Sequence, residues 1–213
     1  MLSARQPQDL GSPLRGFEHV KRYWDKTHGC AAAKILPGEY YVTVRDELIT
    51  TVLGSCVAAC IRDRRLGVGG MNHFMLPLSE TGQWGSEVES CCVATRYGNY
   101  AMEHMINEIL KHGGQRRNLE AKVFGGGLVM RQISDIGRTN IEFVHEYLET
   151  EGIPLVSEDV GERFPRKVIF FPRSGRALVK RIRELHNDTV IRRERAYQQE
   201  LAHKPVEGEV ELF

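Results

Sequence analysis

The sequence predicts a mixed α/β protein of the α+β type, a single layered domain with a largely antiparallel sheet and two principal helices packed on it. Short runs rich in β-branched and aromatic residues are separated by turns that contain Gly or Pro. Two of these turns join runs that are close enough to form hairpins. Two longer segments carry apolar residues at helical spacing. Hairpins combined with such helices are typical of an antiparallel sheet covered by helices.

Three segments follow one another along the chain. Residues 1–33 are an N-terminal extension, in which a loose arm precedes a short helical stretch around residues 17–25. Residues 34–185 are the main domain. Residues 186–213 are a charged C-terminal tail, frayed or helical, in which the basic run formed by Arg192, Arg193 and Arg195 is typical of a solvated helix face.

The main domain is expected to begin with a strand and a hairpin. Residues 40–44 are rich in aromatic and β-branched residues, as in a strand. The apolar runs 56–61 and 68–76 are separated by a polar turn, and Pro77 ends the second run. The later predicted elements are a helix over residues 90–112, a strand over 120–124, a helix that includes 141–148, a strand over 154–157, and a hairpin of 167–171 and 177–182.

Composition limits the classes of partner and the compartment. The chain has 29 basic and 28 acidic residues, a net charge of +1, which gives no reason to expect nucleic-acid binding. No run approaches the roughly 18 apolar residues of a membrane span, and the first residues lack the apolar region of a secretory signal. The five cysteines are odd in number and irregularly spaced, which favours reduced thiols. We expect a cytoplasmic protein that is not itself membrane-embedded.

The first hairpin brings a cysteine and a histidine together. A turn centred on Arg64 and Arg65 places Cys56 directly opposite His73. Opposed side chains on one sheet face have Cβ atoms roughly 4.5–5.5 Å apart, which suits a thiolate–imidazolium pair. A nucleophilic cysteine needs such a base because its free pKa of about 8.5 leaves little thiolate at neutral pH. A register shift of one residue would put the two side chains on opposite faces.

The residues before Cys56 support a catalytic interpretation. Gly54 permits a bend that exposes the thiol and directs backbone N–H groups, including that of Cys56, toward a developing oxyanion. Thr50 and Thr51 are both candidates for orienting the base. In an unbroken strand Thr50 would lie about 20 Å from Cys56, at roughly 3.3 Å per residue, so it joins the site only if Gly54 turns the chain back.

Simpler roles have to be weighed against catalysis. A cysteine in an apolar run is more often a small buried hydrophobe, and a single histidine is more often a satisfied core or surface residue. The spacing of Cys56 and Cys60 would suit a zinc site on a helix, but on a strand the two thiols would lie roughly 13 Å apart, too far for one metal ion. Gly125, Gly126 and Gly127 fit no nucleotide-binding pattern and are expected to be turn and close-packing positions. We expect neither a metal nor a cofactor.

Four short motifs resemble one known family. They are TTVLGSCV (residues 50–57), GGMNHFMLP (69–77), AKVFGGG (121–127) and IGRTN (136–140). Together and in this order they resemble the chemotaxis receptor glutamine deamidases, the CheD family, over residues 34–182. The resemblance implies a catalytic Cys, His and Thr, which fall on Cys56, His73 and Thr50.

The resemblance also implies a substrate and partners. These are methyl-accepting chemotaxis receptors, in which specific glutamine side chains on cytoplasmic helices are hydrolysed to glutamate. An alternative function is a non-enzymatic or dual-role regulator that binds a chemotaxis phosphatase, as some family members do. A different thiol acyl-transfer enzyme, such as a protease or a transglutaminase-like catalyst, also stays open because Cys and His alone do not fix the substrate.

Overall fold

The computed structural model describes residues 10–76, 88–129, 136–182 and 189–203. Within these ranges the strands are β1 (Lys21–Asp25), β2 (Cys30–Lys34), β3 (Tyr40–Thr43), β4 (Leu48–Leu53), β5 (Val57–Asp63), β6 (Gly69–Asn72), β7 (Leu119–Gly125), β8 (Leu155–Val160), β9 (Arg166–Phe171) and β10 (Arg176–Arg181). The helices are α1 (Val88–Lys111), α2 (Ile136–Thr150) and α3 (Thr189–His203), with a short 3-10 turn at Arg116–Asn118.

The strands form two five-stranded sheets. The first sheet has the order β1-β2-β4-β9-β10, and the second has the order β3-β6-β5-β7-β8. Most neighbours are antiparallel; β2 with β4 and β7 with β8 are the parallel pairs. The predicted α+β class is confirmed, with two sheets and three helices in the part of the chain that the structure describes. The later predicted hairpin is also confirmed, as β9 and β10.

The first hairpin forms with a register that differs from the predicted one by two residues. The prediction pairs Cys60 with Gly69, whereas the structure pairs Cys60 with Met71. The reason is a longer turn, because Asp63 N–H bonds the Val68 carbonyl at 2.8 Å and the Asp63 carboxylate accepts two turn amides. Since side chains alternate with a period of two, this shift leaves every residue on its predicted face.

The predicted helix at residues 17–25 is wrong. The chain turns there and then forms β1, which pairs with β2 throughout its length. The Arg22 guanidinium reaches the buried carboxylate of Glu47 at 2.7 Å and fixes the strand to the sheet. Pairing with the neighbouring strand thus outweighs the local helical pattern of the sequence in fixing the conformation of this segment. Because β2 continues through Lys34 and lies beside β4, the N-terminal residues join the first sheet directly.

Helices α1 and α2 cover the second sheet and are close to their predicted positions. Helix α1 packs against β3, β5 and β6, and α2 packs against β5 and β7. Met105 and Ile109 of α1 and Val144 of α2 are fully buried, as the helical spacing predicts. Gly113, with φ +94°, follows the end of α1. Among the described residues no helix combines the length and hydropathy that a membrane crossing needs.

Candidate active site

Cys56 lies where the chain passes from one sheet to the other. Strand β4 of the first sheet ends at Leu53, and β5 of the second sheet begins at Val57. We call residues 54–56 the crossing loop. The bend expected at Gly54 is therefore present, but the expectation that it exposes the thiol is wrong: Cys56 lies at the junction of the two sheets with 0% of its surface exposed.

The three carbonyl groups of the crossing loop are all held from one side. Each carbonyl accepts one hydrogen bond, two from the triple-glycine segment and one from helix α2. The pairs are Gly127 N to Gly54 O (2.7 Å), Asn140 Nδ2 to Ser55 O (3.0 Å) and Gly126 N to Cys56 O (2.8 Å). Because the loop carbonyls are fixed in this way, its three N–H groups are free to converge on a different partner.

Two of the segments on which the family resemblance rests therefore support the crossing loop. Gly125 has φ +108°, and a Cβ there would lie 2.2 Å from the Cys56 carbonyl oxygen, so only glycine fits. The side chain of Asn140 is fully buried, and its Oδ1 accepts the N–H of Leu76 at 2.8 Å. The expectation that the triple glycine is a close-packing point is confirmed.

His73 follows β6, and its backbone and ring are both held in place. Its N–H bonds the Glu39 carbonyl at 2.9 Å, and its carbonyl accepts the N–H of Gly38 at 2.7 Å. The ring Nδ1 lies 2.8 Å from Thr51 Oγ1, which itself donates to the Ile35 carbonyl. The hydroxyl can then only accept from the ring, so Nδ1 carries the proton and Nε2 keeps a lone pair. Nε2 is buried and has no hydrogen-bond partner.

Thr50 does not hold the histidine. Its hydroxyl donates to the Val168 carbonyl of β9 at 2.8 Å, on the opposite face of β4 from Thr51. Adjacent residues on a strand point to opposite faces, so only one of the two threonines can reach the ring. The expected contact of Thr50 with His73 is wrong, and Thr51, the other candidate from the residues alone, makes it.

A third side chain completes the site and was missed by the sequence analysis. Glu194 of α3 is 1% exposed, and its carboxylate accepts hydrogen bonds from every N–H of the crossing loop and from the Ser55 hydroxyl. The donors are Gly54 N (2.7 Å), Ser55 N (2.8 Å), Ser55 Oγ (2.8 Å) and Cys56 N (3.2 Å). Within the charged tail, residues 189–203 form helix α3, and its three arginines are exposed as expected while Glu194 is turned inward.

The ligand-type atoms of Cys56, His73 and Glu194 lie within 4.8 Å of one another. Cys, His and Glu are residue types that bind zinc. The carboxylate of Glu194, however, already accepts four hydrogen bonds, which is about the number of lone-pair sites that it has. The arrangement is therefore that of an anion held by backbone N–H groups and does not fit a metal ligand.

Burial keeps the thiol and the ring in their neutral forms. Burial raises the pKa of the Cys56 thiol well above its ordinary value, and the adjacent Glu194 carboxylate raises it further. Burial lowers the pKa of His73 to about 3. The expected thiolate–imidazolium pair is thus absent from this conformation, in which the thiol interacts with Glu194 and Nε2 stays unpaired.

Fold and site together define a mixed α/β protein that places a cysteine, a histidine and a cluster of backbone N–H groups at the junction of two sheets. Thiol-dependent hydrolases use these three kinds of group. The family described as CheD chemotactic sensory transduction matches residues 75–181. The chain belongs to the CheD family.

Relatives resemble nearly the whole chain. A protein of Halorhodospira halophila is 55% identical over 202 residues, which cover 94% of this chain and 93% of the relative. A protein of Hahella chejuensis is 51% identical over 98% of both chains. A protein of Methylobacillus flagellatus is 54% identical over 96% of this chain and 100% of its own. Each of these relatives carries the name probable chemoreceptor glutamine deamidase CheD.

Proposed function

We propose that this protein acts in the cytoplasm as a protein-glutamine deamidase, which hydrolyses glutamine side chains of chemotaxis receptors to glutamate. The names of its relatives support the substrate class. One observation carries the proposal for the chemistry: a thiol, an imidazole with a free Nε2 and three converging backbone N–H groups meet at one point.

In the proposed reaction, Cys56 is the nucleophile and His73 is the base. Nε2 of His73 accepts the thiol proton as Sγ attacks the side-chain carbonyl carbon of glutamine. The carbonyl oxygen becomes an oxyanion, and the N–H groups of residues 54–56 stabilise it. His73 then gives its proton to the departing ammonia, which leaves a thioester on Cys56.

Hydrolysis of the thioester completes the cycle. A water molecule gives a proton to Nε2 of His73 and attacks the thioester carbonyl, so that glutamate forms and the thiol is regenerated. Thr51 holds the ring throughout by accepting from Nδ1, which keeps the lone pair of Nε2 directed at the reacting groups. No step of this proposed reaction needs a metal ion or a cofactor.

The test uses cytoplasmic receptor fragments and a matched pair of cysteine variants. Cys56→Ala is expected to abolish the mass change from glutamine to glutamate and the release of ammonia. Cys60→Ala removes the same atoms from another buried cysteine, on β5, and is expected to retain activity. Conversion by Cys56→Ala protein would refute the proposed mechanism. Cleavage of the receptor chain in place of deamidation would favour the protease alternative.

The alternative role, regulation of a chemotaxis phosphatase by binding, is separated by the same variant. Binding alone does not need the thiol, so Cys56→Ala protein would keep such a function while losing deamidation. A pull-down of the phosphatase with both proteins distinguishes the two roles.

A further inference from the structure

Helix α3 covers the crossing loop with one face. Val190, Glu194, Tyr197 and Leu201 recur at helical spacing on this face, and each of them is wholly or partly buried. The opposite face carries exposed arginines. Under this helix Cys56 is 0% and His73 is 2% exposed, so a protein substrate cannot reach the thiol while α3 is in place.

The groove under α3 has no spare room at two glycines. A Cβ on Gly54 would lie 2.6 Å from a carboxylate oxygen of Glu194, and a Cβ on Gly38 would lie 2.8 Å from the ring of Tyr197. The Tyr197 hydroxyl also contacts the hydroxyl of Tyr97 on α1. The backbone of the main domain is thus shaped to let a helix approach closely, with a carboxylate directed at the loop amides.

Glu194 is chemically identical to the product of the proposed reaction. When a glutamine side chain is hydrolysed, a glutamate carboxylate is left beside Cys56. Its oxygen occupies the position in which the loop N–H groups stabilised the oxyanion. Glu194 places its carboxylate on those same N–H groups, and one of its carboxylate oxygens lies within 4.8 Å of the Cys56 sulfur.

We propose that α3 is an internal product analogue: it occupies the groove in which a substrate helix binds, places Glu194 in the position of the product glutamate, and must leave before the enzyme can act. The inference rests on the proposed deamidase function. It assigns the substrate groove to the surface between residues 36–38, the crossing loop and Tyr97. In this proposal the active site is closed while α3 is in place and opens when another molecule displaces α3.

The first experiment measures opening without depending on catalysis. Alkylation of Cys56 by iodoacetamide is compared in the wild type, Glu194→Ala and Glu200→Ala, a control glutamate on the exposed part of the same helix. Because one hydrogen bond to a charged group contributes about tenfold or more to an equilibrium, Glu194→Ala is expected to be alkylated at least about tenfold faster than the wild type. Glu200→Ala is expected to match the wild type. Equal rates in all three proteins would overturn the proposal.

The second experiment turns the product analogue into a substrate. In Glu194→Gln the side-chain amide carbon lies beside Cys56, so thiol attack releases ammonia, and water then cleaves the thioester to restore Glu194. Peptide mass spectrometry is expected to show conversion at residue 194, at a rate independent of protein concentration. The neighbouring Gln198 and Gln199 are internal controls that stay unchanged, and Cys56→Ala in the same chain blocks the conversion.

The outcomes separate the two proposals. If Glu194→Gln protein deamidates receptor fragments but leaves residue 194 unconverted, α3 does not occupy the substrate position and the product-analogue proposal fails. If Glu194→Ala exposes Cys56 to alkylation but neither variant deamidates receptor or itself, the deamidase function fails, while α3 still covers the site.

Discussion

Two adjacent threonines provide a stringent test of the site, because they are matched in size and burial but differ in what they hold. Thr50 and Thr51 are 3% and 2% exposed. Thr51 accepts from the ring of His73 and donates to Ile35, whereas Thr50 donates only to the Val168 carbonyl. Replacement of either residue by valine removes one hydroxyl and nearly preserves the volume. Only Thr51→Val removes the acceptor that fixes the ring.

The expected magnitude follows from the groups left unpaired. In Thr51→Val, Nδ1–H of His73 loses its acceptor, and a buried unpaired donor costs about 1–3 kcal/mol. The ring relieves this cost by rotating or by moving its proton to Nε2, and either change removes the base. We expect kcat/KM on receptor fragments to fall roughly tenfold to hundredfold. Thr50→Val is expected to lose about 1 kcal/mol of stability and to keep its activity within about twofold.

The assay is ammonia release from receptor fragments, combined with urea unfolding so that loss of fold is not mistaken for loss of catalysis. To remove the effect of helix α3, each valine substitution is also measured in the Glu194→Ala background. Thr51→Ser restores the hydroxyl and is expected to recover most of the activity. If Thr50→Val is inactive but folded while Thr51→Val is active, the assignment is wrong, and the threonine implied by the family resemblance is the functional one.

Three further predictions concern the support of the site and the titration of His73. Gly125→Ala is expected to lower the free energy of unfolding by about 2–5 kcal/mol, because the new side chain is strained at this φ and clashes with the Cys56 carbonyl oxygen. The control Gly152→Ala, with φ +63° but open space around it, is expected to cost about 1–2 kcal/mol. Equal losses in urea unfolding would contradict the clash. Asn140→Ala leaves the Leu76 N–H and the Ser55 carbonyl unpaired. It is expected to lower the free energy of unfolding by about 2–4 kcal/mol and to reduce kcat. An unchanged urea unfolding curve would argue against the supporting role of Asn140. The pKa of His73 is about 3 in the folded protein and 6.5 ordinarily. Between these two pH values the unfolded chain binds a proton at His73 that the folded protein does not bind, so the free energy of unfolding decreases as the pH falls from 6.5 toward 3. Between pH 7 and 5 the loss is about 2 kcal/mol, and urea unfolding at both pH values should show it in the wild type but not in His73→Gln.

Local patterns predicted most of the elements and the proximity of Cys56 to His73, whereas the predicted direct opposition of these two residues in the hairpin is wrong. The proximity survived an incorrect register because the error was two residues, and an even shift preserves the face on which each side chain lies. The choice between Thr50 and Thr51 could not be made in the same way. It depends on which face of β4 meets the second sheet, and this is set by contacts distant in sequence, such as the hydrogen bond from Thr50 to Val168.

Long-range contacts also explain what the sequence did not predict. Glu194 lies 138 residues beyond Cys56, in a segment whose charge suggested only a solvated helix. The spacing of Val190, Tyr197 and Leu201 marks an apolar face on that helix and is the signal that was available. The N-terminal strand β1 was missed for a related reason, since its conformation depends on pairing with β2.

In the proposed mechanism, the position of Cys56 between the two sheets makes the chemistry depend on how the sheets are aligned. Thr51 belongs to the first sheet and His73 directly follows β6 of the second, and the hydrogen bond between them is 2.8 Å long. A slide of one layer over the other by about 1 Å would break this bond without disturbing any strand pair. In the proposed mechanism, buried residues beside the crossing loop, such as Leu53, therefore set the alignment of the reacting groups without touching a substrate.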